Sequence, residues 1–178
     1  IEAIGRYRCT VISGVPTMTS MVLAQKDLLA KTDVTSVRTV MMGSAPASRQ
    51  IFDELNRYFP NAEALVVYGV TEGGPVPLGP HPQGKPRPQG SIGIPYEGTH
   101  AKLIVGEQEA AEGELVLKNP GVLLGYHNLP QETAKRLRDG WYYTGDVCRR
   151  DADGFYYFVG RTDDMFVSGG ENIYPADV

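Results

Sequence analysis

Residues 73–98 limit what this chain can fold into more than any other stretch. Pro75, Pro77, Pro80, Pro82, Pro86, Pro88 and Pro95 are interleaved there with glycines. Each proline fixes φ and removes a backbone donor, so no regular element is expected to survive, and the stretch reads as a loop or a connection between two lobes. The regions on either side of it carry different hydrophobic patterns.

Upstream, a strand-turn-helix unit recurs. Residues 8–13 predict a buried strand, Gly14 ends it, and Pro16 suits the first turn of a helix running to residue 29. Residues 37–42 predict a second strand, which runs into Gly43-Ser44-Ala45-Pro46. An amphipathic helix follows over residues 47–58, with Ile51, Phe52 and Leu55 on one face. Residues 64–67 predict a third strand, leading into Tyr68-Gly69-Val70-Thr71-Glu72. Short apolar strands alternating with helices imply a mostly parallel sheet with flanking helices, and ligands of such sheets collect at the carboxyl ends of the strands. All three glycine-containing loops are expected at those ends.

Downstream, residues 101–105, 113–118, 121–126, 141–147 and 155–159 predict short strands, with a hairpin signal at Asp151-Ala152-Asp153-Gly154 and a short helix over residues 130–138. The expected fold class is α/β, a mostly parallel sheet followed by a small β-barrel-like subdomain. The expected division is residues 1–90, 91–162 and 163–178.

The 178 residues are 42% hydrophobic with a formal net charge of −4, enough for one substantial core or two small ones. No basic stripe is present of the kind that nucleic acid or anionic lipid needs, so nucleic acid is not an expected partner. The longest apolar runs, such as residues 64–67, fall far short of a transmembrane segment. Cys9 and Cys148 lack metal-ligand spacing and read as packed thiols in a cytoplasmic setting, a single disulfide being the other reading. Ile1 opens without an initiator Met and Val178 closes shortly after Pro175, so the sequence reads as an excised piece. Its oligomeric state is open, although an unpaired sheet edge near residues 8–13 would invite association.

Three segments carry polar groups suited to a nucleotide and a metal. In Tyr68-Gly69-Val70-Thr71-Glu72, Gly69 lets a ligand approach the backbone and the Thr71 hydroxyl can donate to a phosphate oxygen. A carboxylate beside polyphosphate needs a cation between them, and Mg²⁺ takes one or two carboxylates plus phosphate and water oxygens, so Glu72 reads as its ligand. By themselves these residues equally suit a capping Thr and a solvated Glu. In the second segment, Asp146 follows Tyr143-Thr144-Gly145 at an expected strand end. A carboxylate can accept both hydrogen bonds of a ribose diol, although a lone Gly-Asp pair also suits an ordinary turn. In the third, Arg161 follows the apolar run Tyr156-Tyr157-Phe158-Val159-Gly160, where it could bind ribose or phosphate oxygens or pair with Asp163 or Asp164 on the surface.

The order and spacing of these segments, ending in GRTDDMFVSGGENIYPADV, resemble the adenylate-forming superfamily of acyl-CoA synthetases, luciferases and adenylation domains, and most of all the aryl- and fatty-acyl-CoA ligases. The resemblance runs from Gly14-Val15-Pro16-Thr17 to Pro175. It implies part of the large N-terminal domain, with residues 1–90 ending the α/β subdomain, 91–162 forming the β-rich subdomain, and 163–178 holding the hinge and the first strand of a truncated C-terminal domain.

It also implies roles. Tyr68 would stack on adenine; Ser44, Ala45 and Pro46 would line the adenine and acyl slot. Thr71 would touch the α-phosphate and Glu72 would hold Mg²⁺. Asp146 would bind the ribose hydroxyls with help from Arg161, and Gly69 and Phe158 would belong to the same cofactor site. Asp163 would be the hinge, with Gly169 and Gly170 bordering the pantetheine tunnel. Val66 is apolar where members of the superfamily often carry a polar residue. Gly43, Val67, Val70 and Gly74, with Val76, would form an acyl wall for a large aliphatic or aromatic acid rather than acetate.

The implied chemistry is ATP-dependent activation of a carboxylic acid as its adenylate, followed by transfer to coenzyme A. The superfamily's phosphate loop would precede Ile1 and its adenylation lysine would follow Val178, so the chain alone is expected to be inactive. An adenylation domain that loads a carrier protein, a non-catalytic nucleotide-binding module and a plain structural β domain are the alternatives.

Overall fold

The computed structural model describes residues 1–164 and the backbone of the strands Phe166–Ser168 and Glu171–Ile173. The chain divides into two compact units, Ile1–Val67 and Tyr68–Val178. That boundary lies upstream of residue 90 because the proline-rich stretch is tied to the β-rich unit rather than to the parallel sheet.

The first unit contains α1 (Glu2–Tyr7), β1 (Val11–Gly14), α2 (Pro16–Leu23), α3 (Lys26–Lys31), β2 (Thr39–Gly43), α4 (Arg49–Tyr58) and β3 (Glu63–Val67). Its strands form a parallel sheet in the order β1-β2-β3, with Gly14 beside Met42 and Gly43 beside Val67. Pro16 occupies the first turn of α2, where its missing N–H costs nothing. The expected single helix from residue 16 to 29 is two helices. Gln25 leaves helical geometry at ψ 55, and the break lets Leu23 and Leu29 both bury. Six residues apart, they would point about 120° from each other on one continuous helix.

On α4, Phe52 and Leu55 are buried while Arg49, Asp53, Asn56 and Arg57 face solvent; Ile51 is only half-buried. With Leu23, Val40, Met42 and Phe59 they make this unit's core, each side chain contributing about 1.5–3 kcal/mol on burial. β1 is an edge strand, and Val11, Met18 and Met21 are exposed.

The second unit contains β4 (Leu78–Gly79), β5 (Ile94–Pro95), β6 (His100–Val105), β7 (Gln108–Glu109), β8 (Glu112–Lys118), α5 (Pro130–Arg136), β9 (Leu137–Arg138), β10 (Trp141–Arg150), β11 (Tyr156–Arg161), β12 (Phe166–Ser168) and β13 (Glu171–Ile173). An antiparallel sheet runs β11-β10-β8-β6-β7, with β9 added on β10. Leu103, Leu115, Leu117, Tyr142, Cys148 and Tyr156 fill its core. The Asp151–Gly154 hairpin forms as expected: Asp151 Oδ1 accepts from the Asp153 and Phe155 amides, and Gly154 takes φ +89.

Three expectations are corrected. Residues 73–98 do hold regular pairing, since β4 and β5 form an antiparallel ladder with Leu78 opposite Pro95. A ladder only two residues long asks little of a proline. The stretch is further anchored because the Ile92 amide donates to the Tyr156 carbonyl and the Tyr156 amide to that of Gly93. Gly93 is required there, with φ +101 and a Cβ that would lie 2.4 Å from the Gly79 carbonyl oxygen. Residues 121–126 form no strand; the Val122 amide turns back to Asn119, the Leu123 amide bonds to the Glu72 carbonyl, and Leu124 is exposed. Of the two expected packed thiols, Cys148 is buried and its thiol is pushed up by desolvation, whereas Cys9 is only half-buried.

Candidate functional site

Asp146 does not stand at a strand end. It lies within β10, at a bulge where the register to β8 shifts between Tyr143 and Val147 and the register to β11 between Val147 and Cys148. Gly145 makes the bulge with φ +76, a conformation that side chains with a Cβ avoid. The bulge is fastened on every side. The Thr144 hydroxyl donates to the Leu115 carbonyl and accepts from the Asp146 amide, the Gly145 amide donates to Glu114 Oε1, and the Thr162 amide donates to the Gly145 carbonyl.

The bulge points Asp146 into a buried network. Its Oδ2 accepts from the Tyr68 hydroxyl at 2.5 Å, and its Oδ1 accepts from Arg161 Nη1 at 2.9 Å. Arg161 is its register partner across the β10–β11 ladder. Tyr68 and Asp146 are 8% and 5% exposed. Burial raises the Asp146 carboxyl above the ordinary range, and the Tyr68 and Arg161 contacts, which pull the other way, do not cancel it. Tyr68 is likewise pushed up, first by burial and then by the neighbouring carboxylate. Each carboxylate oxygen still has a second lone pair with which to accept.

Thr71 and Glu72 sit on a single 3-10 turn, Thr71–Gly73. Among the described residues nothing engages the exposed Thr71 hydroxyl, so the capping role is not taken up. Glu72 is half-buried; Tyr126 donates to its Oε1 at 3.1 Å, and Asn119 Nδ2 holds the Gly73 carbonyl at 2.9 Å. Tyr126 and Tyr142 are raised mainly by burial and keep their protons. A lone carboxylate oriented by a phenol, with open coordination around it, fits a cation that takes its remaining ligands from phosphate and water. Among the described residues no cluster of three or more His, Cys, Asp or Glu side chains could hold a metal by itself.

Gly69 has a different reason from the one expected. A Cβ there would lie 2.1 Å from the Pro75 carbonyl oxygen, so this chain's own backbone takes the space. Val70 bridges to Gly74, which has φ +97, while Val76 is exposed. Phe158 is half-buried opposite Cys148. Asp163 is exposed and accepts from Arg136 Nη2 at 3.3 Å, with Arg161 Nη2 at 3.8 Å. The surface pairing open to Arg161 is thus realised alongside its contact with Asp146.

In the other unit, Ser44, Ala45 and Pro46 are exposed just beyond β2, and Ser44 holds φ 66, an uncommon conformation for a non-glycine residue. Gly43 and Val67 end β2 and β3 side by side. Gly169 and Gly170 lie outside the described residues.

Arg136 is absent from the expected set. It ends α5, and a Cβ on Gly145 would stand 2.6 Å from its Nη1. A basic residue in the last turn of a helix is too ordinary a signal to single it out.

The chain resembles known proteins in sequence and in fold. The pattern of the AMP-binding enzyme family matches residues 1–127. A feruloyl-CoA synthase from an Amycolatopsis species is 38% identical over all of this chain and 36% of its own length. A long-chain-fatty-acid–CoA ligase of Bacillus subtilis is 34% identical over all of the chain and 32% of its own. The structure of the B. subtilis O-succinylbenzoate coenzyme A synthetase in complex with ATP and magnesium ion superposes with a TM-score of 0.83 at 30% identity, over 99% of this chain and 37% of that one. The chain thus spans about a third of the length of the relatives it matches. With the family pattern covering most of its residues and an α/β fold shared with a nucleotide-bound relative, the chain belongs to the AMP-binding enzyme family.

Proposed function

We propose that this chain is a nucleotide-holding part of an ATP-dependent acid–CoA ligase that activates a carboxylic acid as its adenylate and passes the acyl group to coenzyme A. The observation that carries the reading is the Asp146 carboxylate, buried on a mid-strand bulge between the Tyr68 hydroxyl and Arg161. A fold gives up regular pairing in a core strand at some cost, and the return here is one fixed, partly satisfied carboxylate with lone pairs left for a diol.

In the first half-reaction the substrate carboxylate oxygen bonds to the α-phosphorus of ATP and the bond to pyrophosphate breaks. In the second, the thiol sulfur bonds to the acyl carbon, losing its proton, and the bond to AMP breaks. Such chemistry rests on positioning and charge neutralisation rather than on a protein nucleophile. Asp146 and Arg161 fix the ribose, Tyr68 and Phe158 border the base, and the Thr71 hydroxyl donates to the α-phosphate. In the first unit Ser44, Ala45 and Pro46 are assigned to the adenine and acyl slot, and in the second Gly69 is assigned to the nucleotide through its backbone, the space a side chain would need being taken by the Pro75 carbonyl. Glu72, oriented by Tyr126, holds Mg²⁺, which when bound neutralises phosphate charge.

Gly43 and Val67 in the first unit, and Val70 and Gly74 in the second, are the residues assigned to the acyl group, and a large aromatic or aliphatic acid is the substrate class. The feruloyl- and long-chain-fatty-acid-specific names of the relatives support that size. Those relatives also favour coenzyme A over a carrier protein as the thiol. Residues 163–178 supply the hinge, at Asp163, and the start of a second domain in the complete enzyme, with Gly169 and Gly170 beside the pantetheine arm. Cytoplasmic placement suits the free Cys9 and the buried Cys148. Among the described residues no helix is long and apolar enough to cross a membrane.

Calorimetric titration with AMP and with ATP plus Mg²⁺ tests the reading. A Kd of about 1 mM for the chain, roughly −4 kcal/mol, is expected, together with loss of binding in Asp146→Ala. Equal binding by the two proteins contradicts it.

A further inference from the structure

Arg136 and Arg161 converge on one place from different elements. Arg136 ends α5 and Arg161 ends β11. A Cβ built on Gly145 would lie 2.6 Å from Arg136 Nη1 and 3.4 Å from Arg161 Nη2, so the two guanidinium groups meet above a residue with no side chain. Two cations this close need an anion between them. Asp146 neutralises part of this charge, since it pairs with Arg161 Nη1 and feels the charge of Arg136, but its hydrogen bonds go to Tyr68 and Arg161. Among the described residues, the group in ion-pair reach of both is a single oxygen, Asp163 Oδ2, 3.3 Å from Arg136 Nη2 and 3.8 Å from Arg161 Nη2.

Both distances exceed the roughly 2.7–2.9 Å of a good charge-assisted hydrogen bond. The Asp163 side chain is 63% exposed, and pairs of that kind hold weakly. A tetrahedral oxyanion, with several oxygens spread over a wider reach, can bond to both guanidinium groups at once where one carboxylate oxygen cannot. The site adjoins Asp146, and Arg136 also draws down the Tyr126 and Tyr142 hydroxyls, so its charge acts on the tyrosine that orients Glu72 as well as on the carboxylate.

We propose that Arg136 and Arg161 form a clamp for a phosphate group, and that Asp163 is an internal stand-in anion that occupies the clamp until a phosphate displaces it. The assignment of that phosphate to a nucleotide rests on the reading given above. The clamp also gives Asp163 a second part, because every phosphate that enters frees the segment following β11 from α5. Arg136 is then a ligand-binding residue, and Asp163 competes with the ligand for it.

The experiment compares adenosine, AMP and inorganic pyrophosphate by calorimetry on the full chain and on Arg136→Ala, Arg136→Lys and Asp163→Asn, with circular dichroism confirming that each variant is folded. The clamp predicts that AMP binds about tenfold more tightly than adenosine. Arg136→Ala brings that ratio close to one with adenosine affinity unchanged, Arg136→Lys restores part of it, and Asp163→Asn raises AMP and pyrophosphate affinity about threefold. Equal binding of adenosine and AMP by the unaltered chain overturns the clamp and leaves the nucleotide reading intact. Pyrophosphate binding that needs Arg136, with no binding of adenosine or AMP, upholds the clamp and removes the nucleotide assignment. An AMP preference that survives Arg136→Ala, or weaker binding in Asp163→Asn, overturns the proposal, as does an absence of binding by all three compounds.

Discussion

The two units present polar groups in opposite ways. In the parallel sheet, Gly14, Gly43 and the residues after them leave their strands at the carboxyl ends, and the exposed Ser44-Ala45-Pro46 loop is simply where β2 stops. In the antiparallel sheet the Asp146 carboxylate emerges in the middle of the longest strand, from a bulge held by Thr144, Glu114 and Thr162. A loop at a strand end is inexpensive to form and easy to vary. A mid-strand bulge is rigid and depends on its neighbours, which is what a fixed, buried carboxylate requires.

The largest effect should come from Asp146→Ala. It leaves the buried Tyr68 hydroxyl without its acceptor and Arg161 without its closest partner, at a cost of about 3 kcal/mol in chemical denaturation. A loss under about 0.5 kcal/mol would mean that water replaces the carboxylate freely and that the bulge does not hold it rigidly. Next, Gly145→Ala forces a Cβ into a positive-φ position against Arg136, and destabilisation by about 1–2 kcal/mol is expected in the same assay. The counterpart in the other unit has the opposite sign. Ser44→Gly relieves a left-handed non-glycine residue in an exposed loop and should stabilise the chain by about 1 kcal/mol, visible as a higher Tm.

Two carboxylates sharpen the same contrast with pH. Asp33, exposed in the first unit, is held down at about 2 by the Thr35 hydroxyl and amide and then by Arg8. Its folded value lies below the unfolded one, so its contribution is present above the ordinary carboxylate range and is lost as pH falls through about 2. Asp146 is raised, chiefly by burial. The folded chain therefore takes that proton first, and the group's effect is most favourable at low pH and declines as pH rises through its folded value. Carboxyl-carbon NMR titration should show the two shifts on opposite sides of the ordinary range; shifts on the same side would remove the distinction. The smallest effect belongs to Lys135→Ala, which breaks a solvent-exposed i,i+3 pair with Glu132 and should change Tm by less than the equivalent of about 0.5 kcal/mol.

Much of the first unit was legible in the sequence because strand ends and helix starts are written in local residues. Pro16, Gly43 and the α4 stripe of Phe52 and Leu55 depend on nothing distant. The break at Gln25 was not legible, since it answers to where Leu23 and Leu29 find their core. In the second unit the residue types Tyr68, Glu72, Asp146 and Arg161 were visible, but their geometry was not. The bulge exists only once β8 and β11 pair with β10, and Gly69 owes its place to the Pro75 carbonyl, a contact that no pattern of neighbouring residues reveals. Arg136 escaped for the same reason. Its importance comes from Gly145, which α5 reaches only in the folded chain.

The central claim is that the Gly145–Asp146 bulge is the place where nucleotide binds, and amide chemical-shift mapping during an AMP titration tests it most directly. The account predicts that the largest shifts fall on Tyr68, Gly145, Asp146 and Thr162, and that they vanish in Asp146→Ala. Shifts concentrated instead on the groove of about 460 Å³ lined by Lys102, Trp141, Arg150 and Tyr156, and undiminished by that substitution, would contradict it.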